Sequence, residues 1–375
     1  MLNNKKILVI ATTDNMIWQF LLPHIKHLQS RGNTVECVCA KTGFWFDDIK
    51  AQTGVNVFNI DFKRNPISLK NLKGYSQLKK LQKERQYDVV YCQQPVGAVM
   101  GRLIGKKFKI PVIYTAHGFH FFKGCPIVNK LVYKTVEKWL SKYTNTLITI
   151  NQEDYDNAKK MKAKQVYKIS GIGVDKNKFE SDCFDKKEFK KSLGLGNSDK
   201  VVLTIAEFIP RKNYSTMLKT IKNLTEKDKT IKFVSCGKGE LESDIKNQAE
   251  QLGIKENCLF LGFRKDVSKI IQVSDVFFLP SYQEGLTLSV MESMAFGLPC
   301  VVSNVRGNRD LIKDNINGFA CDPTDDTSFS QKIDLLLTDK KLYSQISKQN
   351  KLEVKQYMID SVIKQLDVIY NNFNF

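Results

Sequence analysis

The sequence predicts an α/β protein of two doubly wound domains, and three observations predict it. The chain has 375 residues, long for one hydrophobic core, so two domains of about 150–200 residues are the natural division. Short runs that are β-branched and almost continuously apolar alternate with amphipathic helical patterns, as in a parallel sheet covered on both faces. The alternation stops at a polar, lysine-rich stretch in mid-chain and then starts again.

In the first half, Lys5 to Ala11, Thr34 to Ala40, Val55 to Ile60, Tyr87 to Cys92, Ile110 to Ala116 and Thr146 to Ile150 read as strands. Between them, Trp18, Leu21, Leu22, Ile25 and Leu28, and later Leu69, Leu72, Leu78 and Leu81, recur at helical spacing. A further strand, Gln165 to Ile169, leads into Ser170-Gly171-Ile172-Gly173. Glycines followed by a charged, weakly periodic stretch to Lys200 read as an interdomain connection. Strands resume at Val201 to Ala206, Ile231 to Cys236, Leu259 to Leu261, Val276 to Leu279, Cys300 to Ser303 and Phe319 to Cys321. The tail from Asp325 is helical by pattern. The expected division is 1–170, a connection at 171–199, a second domain at 200–355, and a C-terminal helix at 356–375 packing back on the first domain. Ligands of such folds bind outside the C-terminal ends of the strands, here in a cleft between two sheets.

Bulk properties exclude several classes. There is no apolar run of 18 residues, so no membrane span is expected. The apolar run Ile7 to Ala11 breaks into Thr12-Thr13-Asp14-Asn15, too short for a signal peptide, and a cytoplasmic location follows as an expectation. Of nine cysteines, Cys37, Cys39, Cys92, Cys236, Cys258 and Cys300 lie in or beside strand-like runs, where free thiols behave as small hydrophobes. No metal site is expected, since Cys37-Val38-Cys39 has no histidine partner and no CxxC occurs. The net charge of +19 calls for an anionic partner: nucleic acid, an acidic membrane surface or phosphorylated substrates. A generally lysine-rich composition is the plain alternative.

The richest stretch is Pro280 to Pro299. An apolar strand ends there, Thr287 to Phe296 reads as a helix, and Gly297 and Pro299 stop it. Glu284 sits in the loop and Glu292 on the helix eight positions later. Gly285 lets backbone approach a ligand, and the free N–H groups of the helix start, near Leu286, Leu288 and Ser289, favour an anion. Acidic residues that merely complement a helix dipole are the bland reading. Other strand ends carry candidates too. Arg211 and Lys212 follow Val201 to Ala206, adjacent cations able to bind a diphosphate. Gly237-Lys238-Gly239 follows Ile231 to Cys236, and Asn304 to Asp310 forms another glycine loop with cations. In the first half, Thr115 to Gly124 holds His117 and His120; His117 reads as a hydrogen-bonding site residue. His24 and His27 read as partly buried side chains of the first helix.

The spacing Glu284 to Glu292, with Gly285-Leu-Thr-Leu-Ser289 and Met291-Glu-Ser-Met-Ala-Phe-Gly-Leu-Pro299, resembles the retaining glycosyltransferases of family 4. Tyr114 to Gly124, Glu137-Lys-Trp-Leu140 and Ile148 to Tyr155 are similar to the branch that builds capsular and exopolysaccharides. The resemblance covers nearly the whole chain. It implies a GT-B fold, two facing Rossmann-like domains, and transfer of a hexose or N-acetylhexosamine from a UDP-linked donor to a glycan or polyprenyl-diphosphate-linked acceptor, with retention. It assigns His117, Glu284 and Lys212 to catalysis. Arg211, Lys212, Gly237, Glu284, Gly285, Leu286, Leu288, Ser289 and Glu292 would hold the nucleotide-sugar, Glu292 at the ribose and Glu284 at the donor sugar. It implies no cofactor beyond that co-substrate and no metal. Three positions depart from the pattern: Glu207 where relatives carry Arg, Thr12 to Met16 in place of a Gly-Gly loop, and Asp310 in place of Glu. Asp154-Tyr155-Asp156 mimics a metal-binding DxD but opens a helix, and reads as helix-start acidity.

Lys130, Lys134, Lys138 and Lys142 recur every four residues on a helix whose other side carries Val128, Leu131, Val132, Val136 and Trp139. With Lys70, Lys73, Lys79, Lys80, Lys83, Lys106, Lys107 and Lys109 they suggest peripheral docking on an anionic inner leaflet; an ordinary solvated helix face is the alternative. Two other functions compete. A GT-B sugar-nucleotide 2-epimerase would need a different set of cleft carboxylates and histidines. A basic nucleic-acid-binding protein has only the charge in its favour, and no nucleic acid is expected.

Overall fold

The computed structural model describes residues 1–43, 45–175 and 184–374. It divides into two compact units, Met1–Gly173 with Ile359–Phe375, and Val174–Met358. The expected connection at 171–199 is thus shared between them. Gly171 to Gly173 close the first unit, Val174 opens the second, and the helix Lys186–Ser192 lies within the second. Residues 176–183 of that connection, and the last residue of the tail, lie outside the described residues.

The first unit holds seven strands, β1 (Lys6–Thr13), β2 (Thr34–Ala40), β3 (Asn56–Asn59), β4 (Val89–Gln93), β5 (Val112–Ala116), β6 (Thr146–Thr149) and β7 (Gln165–Lys168). They form one sheet in the order β3-β2-β1-β4-β5-β6-β7, every pair parallel. The second unit holds β8 (Lys200–Ile205), β9 (Ile231–Cys236), β10 (Cys258–Gly262), β11 (Val276–Leu279), β12 (Cys300–Ser303) and β13 (Gly318–Cys321). Their order is β10-β9-β8-β11-β12-β13, again parallel. In each sheet the order reverses direction once, at β1/β4 and at β8/β11, the place where doubly wound folds bind ligands. Both predicted Rossmann-like folds are therefore present.

The central strands are buried on both faces, which is why they read as unbroken apolar runs. Val276, Phe277, Phe278 and Leu279 of β11 and Cys300, Val301 and Val302 of β12 have no exposed surface. Cys37, Cys39, Cys92, Cys236, Cys300 and Cys321 are buried free thiols. The last helix, Ile359–Asn371, belongs to the first unit, where Asp367 accepts from Arg31 at 2.6 Å and pairs with His27 at 2.8 Å. His24, by contrast, is buried, its Nε2 2.6 Å from the Ile172 carbonyl. The first helix is not regular: Ile17–Leu21 has π geometry. Pro23 withholds an N–H just beyond it, and a freed carbonyl of this kind widens the preceding turn.

The helix Ile127–Leu140 turns an unexpected side inward. Its inward row is Asn129, Tyr133, Glu137 and Leu140, of which Glu137 and Leu140 are buried. Arg102, fully buried on the helix Pro95–Phe108, donates from both terminal nitrogens to Glu137, at 2.6 and 3.1 Å. Its Nε donates to the Ala98 carbonyl, and its guanidinium lies 4.4 Å from the Tyr114 ring centroid. With its one buried charge met this way, the helix is fastened by an ion pair together with the packing of Tyr133 and Leu140.

Candidate functional site

In the second unit the loops after β8 and β11 are sewn together. Backbone Tyr282 N–H donates to the Arg211 carbonyl at 2.9 Å. Asn213, in the left-handed conformation, caps the helix Tyr214–Lys227 and donates its amide to the carbonyls of Pro280 at 2.9 Å and Pro323 at 2.7 Å. This clamp presents the single turn Pro210–Lys212 to the loop holding Glu284.

The result is a buried ion cluster. Lys212 Nζ lies 2.6 Å from Glu284 Oε1, and Arg211 reaches Glu284 Oε2 at 3.4 Å and the Gln283 carbonyl at 3.3 Å. Lys212 and Glu284 are only 7% and 6% exposed, whereas Arg211 is open to solvent. Burial alone would raise the Glu284 pKa, but Lys212, and then Arg211, outweigh it and hold the carboxyl below its ordinary value. Glu284 is therefore a carboxylate at neutral pH, and Lys212 and Arg211 present cations beside it.

The third side of the cluster comes from the loop after β12. Arg306, 4% exposed, donates from Nε to the Glu284 carbonyl at 3.1 Å. Gly307 has φ +80°, and a Cβ there would lie 2.3 Å from the Gly285 carbonyl oxygen. A glycine is required both by conformation and by the closeness of the two loops. Beyond them, Thr287 precedes the helix Leu288–Ala295, and no side chain caps its first N–H groups. The Thr287 hydroxyl donates instead to Asn308 Oδ1 at 2.9 Å. Leu288 and Glu292, one turn apart, share the partly exposed stripe of this helix, while Ser289 is buried. On the other side of β8, a Cβ at Gly237 would sit 1.9 Å from the Ala206 carbonyl oxygen, so the β9 loop lies directly against the β8 loop.

The structure thus joins Arg211, Lys212 and Glu284 in one cluster at the C-terminal ends of β8 and β11, the switch point of the second sheet. Gly237 follows neighbouring β9, and Gly285, Leu286, Leu288, Ser289 and Glu292 belong to the loop and helix that follow β11. His117 belongs to the first unit and follows β5. Its Nε2 is 2.6 Å from Gln93 Oε1 at the end of neighbouring β4. Burial, with a smaller push from His24, lowers its pKa to about 3, so the imidazole is neutral and Nε2–H donates to the amide oxygen. The loop that holds it is fastened by the first turn of the helix Gln152–Ala158: Asp154 accepts from Phe119 N–H at 3.1 Å, and Glu153 from Lys123 N–H at 2.7 Å. Asn151 caps the helix Gln152–Ala158. The DxD look-alike is a loop fastener. Among the described residues no group of three His, Cys, Asp or Glu is arranged to hold a metal ion.

Sequence reasoning passed over Gln93 and the clamp residue Asn213. Gln93-Gln94-Pro95 was visible as two amides closing an apolar strand before a helix-starting proline. Asn213 carried no such signal, because its partners lie 67 and 110 residues away.

Comparison with known proteins gives two matches to families, Glycosyl transferase 4-like over residues 6–151 and Glycosyl transferases group 1 over residues 185–353. The chain is 34% identical to EpsD of Bacillus subtilis, named as a glycosyltransferase, over 98% of this chain and 97% of that protein. It is 34% identical to the Escherichia coli UDP-Gal:alpha-D-GlcNAc-diphosphoundecaprenol alpha-1,3-galactosyltransferase, covering 82% and 80%. It is 27% identical to the Campylobacter jejuni N,N'-diacetylbacillosaminyl-diphospho-undecaprenol alpha-1,3-N-acetylgalactosaminyltransferase, covering 91% and 92%. In fold it is similar to Anabaena HepE, solved with UDP and glucose, at TM-score 0.83 and 18% identity over 98% and 99% of the two chains. WaaG, of lipopolysaccharide biosynthesis, gives 0.76 at 15% identity over 98% and 100%.

Proposed function

The chain belongs to the glycosyltransferases, with the two Rossmann-like units of the GT-B fold, and from that premise we propose that it moves a hexose or N-acetylhexosamine, with retention, from a UDP-linked donor to a polyprenyl-diphosphate-linked glycan in surface polysaccharide synthesis. The observation that carries this reading is the Arg211–Lys212–Glu284 cluster beside an uncapped helix start. A cluster of this kind suits a diphosphate carrying a sugar: cations and N–H groups for the leaving anion, a carboxylate for sugar hydroxyls.

Lys212 has three N–H donors and uses one on Glu284, leaving two for diphosphate oxygens. Arg211, solvent-open and aimed at the same carboxylate, supplies the cation that relatives take from the position of Glu207. The bond between the anomeric carbon and the phosphate oxygen breaks, and its electron pair goes to the diphosphate. Lys212, Arg211 and the N–H groups near Leu288 and Ser289 stabilise the departing charge. The acceptor hydroxyl attacks the face the diphosphate leaves, and its proton passes to a departing phosphate oxygen. Glu284 fixes the sugar through its hydroxyls, Glu292 accepts from the ribose, and neutral His117 donates or accepts a hydrogen bond without bringing charge. Cations thus do the work a metal performs elsewhere. The UDP and glucose held by HepE, and the diphosphoundecaprenol acceptors in the names of two relatives, support the donor and acceptor classes; the α linkage in those names supports retention.

The test is incubation with a panel of UDP- and GDP-sugars, following nucleotide release without acceptor. One UDP-sugar should release UDP, and Glu284→Gln and Lys212→Ala should largely abolish this. Full activity in both variants would refute the assignment.

A further inference from the structure

The helix Ile127–Leu140 turns Asn129, Tyr133, Glu137 and Leu140 inward, so most of its apolar residues face out. Ile127 is 75% exposed, Val128 69%, Leu131 65%, Val132 53% and Trp139 43%. Val128, Val132, Thr135 and Trp139 lie along one helical row, and Lys130, Lys134 and Lys138 lie about 130° round the helix from it, with Leu131 between them. Helices returning from β3, β4 and β5 to the next strand all move one way across the sheet, and right-handed crossovers put them on one face. The outermost of the three opens with a second apolar group, Ile67, Leu69 and Leu72, 85%, 80% and 66% exposed. Ile127 to Val132 and Ile67 to Leu72 sit at or just before the helix N-terminal ends, which adjoin the C-terminal ends of the strands, the end that carries His117, and Trp139 extends the first group to the other end of its helix.

Charge decides what covers this face. From Lys63 to Lys83 there are seven basic residues and no acidic one. From Lys123 to Lys142 there are five lysines, and the one acid, Glu137, is buried against Arg102. Two of these cations have acidic partners, Lys73 with Asp61 at 2.8 Å and Lys80 with Glu84 at 3.8 Å. Lys106, from the middle helix, lies over the rings of Trp139 and Tyr143, at 5.5 and 4.7 Å, the aromatic–cation pairing found at a lipid headgroup boundary. No helix among the described residues is long and apolar enough to cross a membrane. An apolar row bordered by lysines is the composition of a helix that lies in the interface plane.

We infer that the helix Ile127–Leu140, with Ile67 to Leu72, is a docking face for an anionic lipid bilayer, held apolar side out by the buried Arg102–Glu137 pair. The face is argued from exposure and charge; only its purpose, reaching a lipid-linked acceptor, rests on the proposed function.

The experiment is co-flotation of the full chain with phosphatidylglycerol or phosphatidylcholine vesicles at low and high salt, with UDP release from the donor measured without lipid on the same preparations. The native chain should float with phosphatidylglycerol, less at high salt and little with phosphatidylcholine. The pair Leu131→Asp and Val132→Asp should lose at least about tenfold in binding. Lys130→Glu, Lys134→Glu and Lys138→Glu should each lose about fivefold. Leu352→Asp, exposed in the second unit, serves as the control and should float as native. Undiminished flotation of the Leu131/Val132 variant overturns the inference. So does a native chain that ignores vesicles but self-associates through this face, which would make it a protein interface. Release of UDP without flotation sinks the docking face alone; flotation without UDP release sinks the proposed function alone.

Discussion

Lys212 Nζ and Glu284 Oε1 meet at 2.6 Å across 72 residues of chain, both nearly excluded from water. Removing two charges from water costs several kcal/mol each, and their attraction offsets this only where further hydrogen bonds complete them. Here the ammonium keeps donors in reserve, and the carboxylate has Arg211 on its second oxygen. A pair left incompletely satisfied in a loop cluster fits a site that awaits a ligand better than a device for stability.

Breaking the pair from its two sides should therefore have different effects. Lys212→Met strands a buried carboxylate with only a solvent-open arginine, and should cost about 3–5 kcal/mol in urea unfolding at pH 7. Glu284→Gln keeps the shape and removes the charge, so its stability cost should be smaller while UDP release falls about 100-fold or more. The acid limb gives the sign. The folded carboxyl titrates below its ordinary 4.5, so its stabilisation is complete above that pH and is lost as pH falls through the lower folded value. Glu284→Gln should flatten unfolding free energy against pH below about 4.5 and leave it unchanged in slope above.

His117 should be silent where histidines usually titrate. With its pKa lowered to about 3, the folded chain takes up no proton there between pH 5 and 8, whereas the unfolded chain does near 6.5. Stability tied to this residue is thus full above about 6.5 and declines as pH falls toward 3, by up to about 1.4 kcal/mol per pH unit. His117→Gln should reduce that slope, and the His117 ring carbons should keep the neutral chemical shift in NMR spectra down to pH 5. An imidazole titrating near 6.5 in the folded chain would contradict the structure.

The strands were legible because parallel strands buried on both faces leave no room for polar residues, as in Val276 to Leu279. The two doubly wound folds followed from that pattern alone. The Glu284 loop was legible because a carboxylate, a glycine and an uncapped helix start fall within a few residues. Orientation was not. The period of Ile127–Leu140 reveals two faces, but its inward face is chosen by Arg102, 35 residues before Glu137, and nothing local announces that choice. The π turn at Ile17–Leu21 was hidden for a similar reason: Trp18, Leu21, Leu22 and Ile25 fit a regular period although the backbone widens through them. The Gln93–His117 bond joins two strand ends that become neighbours only once β4 and β5 pair.

The Arg102–Glu137 pair makes its own prediction. Arg102→Met leaves Glu137 buried without its bidentate partner, and should cost about 3–5 kcal/mol in urea unfolding. Arg102→Lys should recover little, since one ammonium cannot reproduce the two parallel bonds. Replacing both residues, Arg102→Met with Glu137→Leu, should recover most of the loss, because an apolar pair of similar volume meets no unpaired charge. Double-mutant-cycle analysis checks this; additive losses would show that the two side chains do not depend on each other.

Gly307→Ala tests how closely two loops must approach for the site to exist. The added Cβ would lie 2.3 Å from the Gly285 oxygen and 2.7 Å from its carbonyl carbon, atoms of backbone that no rotamer can move aside. The positive φ adds strain for any side chain, so the loop after β12 or the Glu284 loop must shift. Arg306 next door holds the Glu284 carbonyl, and a shift would pull on the same segment that positions the carboxylate. Stability should fall by about 1–3 kcal/mol, and UDP release should fall more than this loss of folded protein accounts for at 25 °C. Arg306→Met removes the hold without adding the clash, so it should raise KM for the donor or lower kcat with a smaller stability loss. If Gly307→Ala keeps native kinetics while losing stability, the approach of the two loops serves the fold alone.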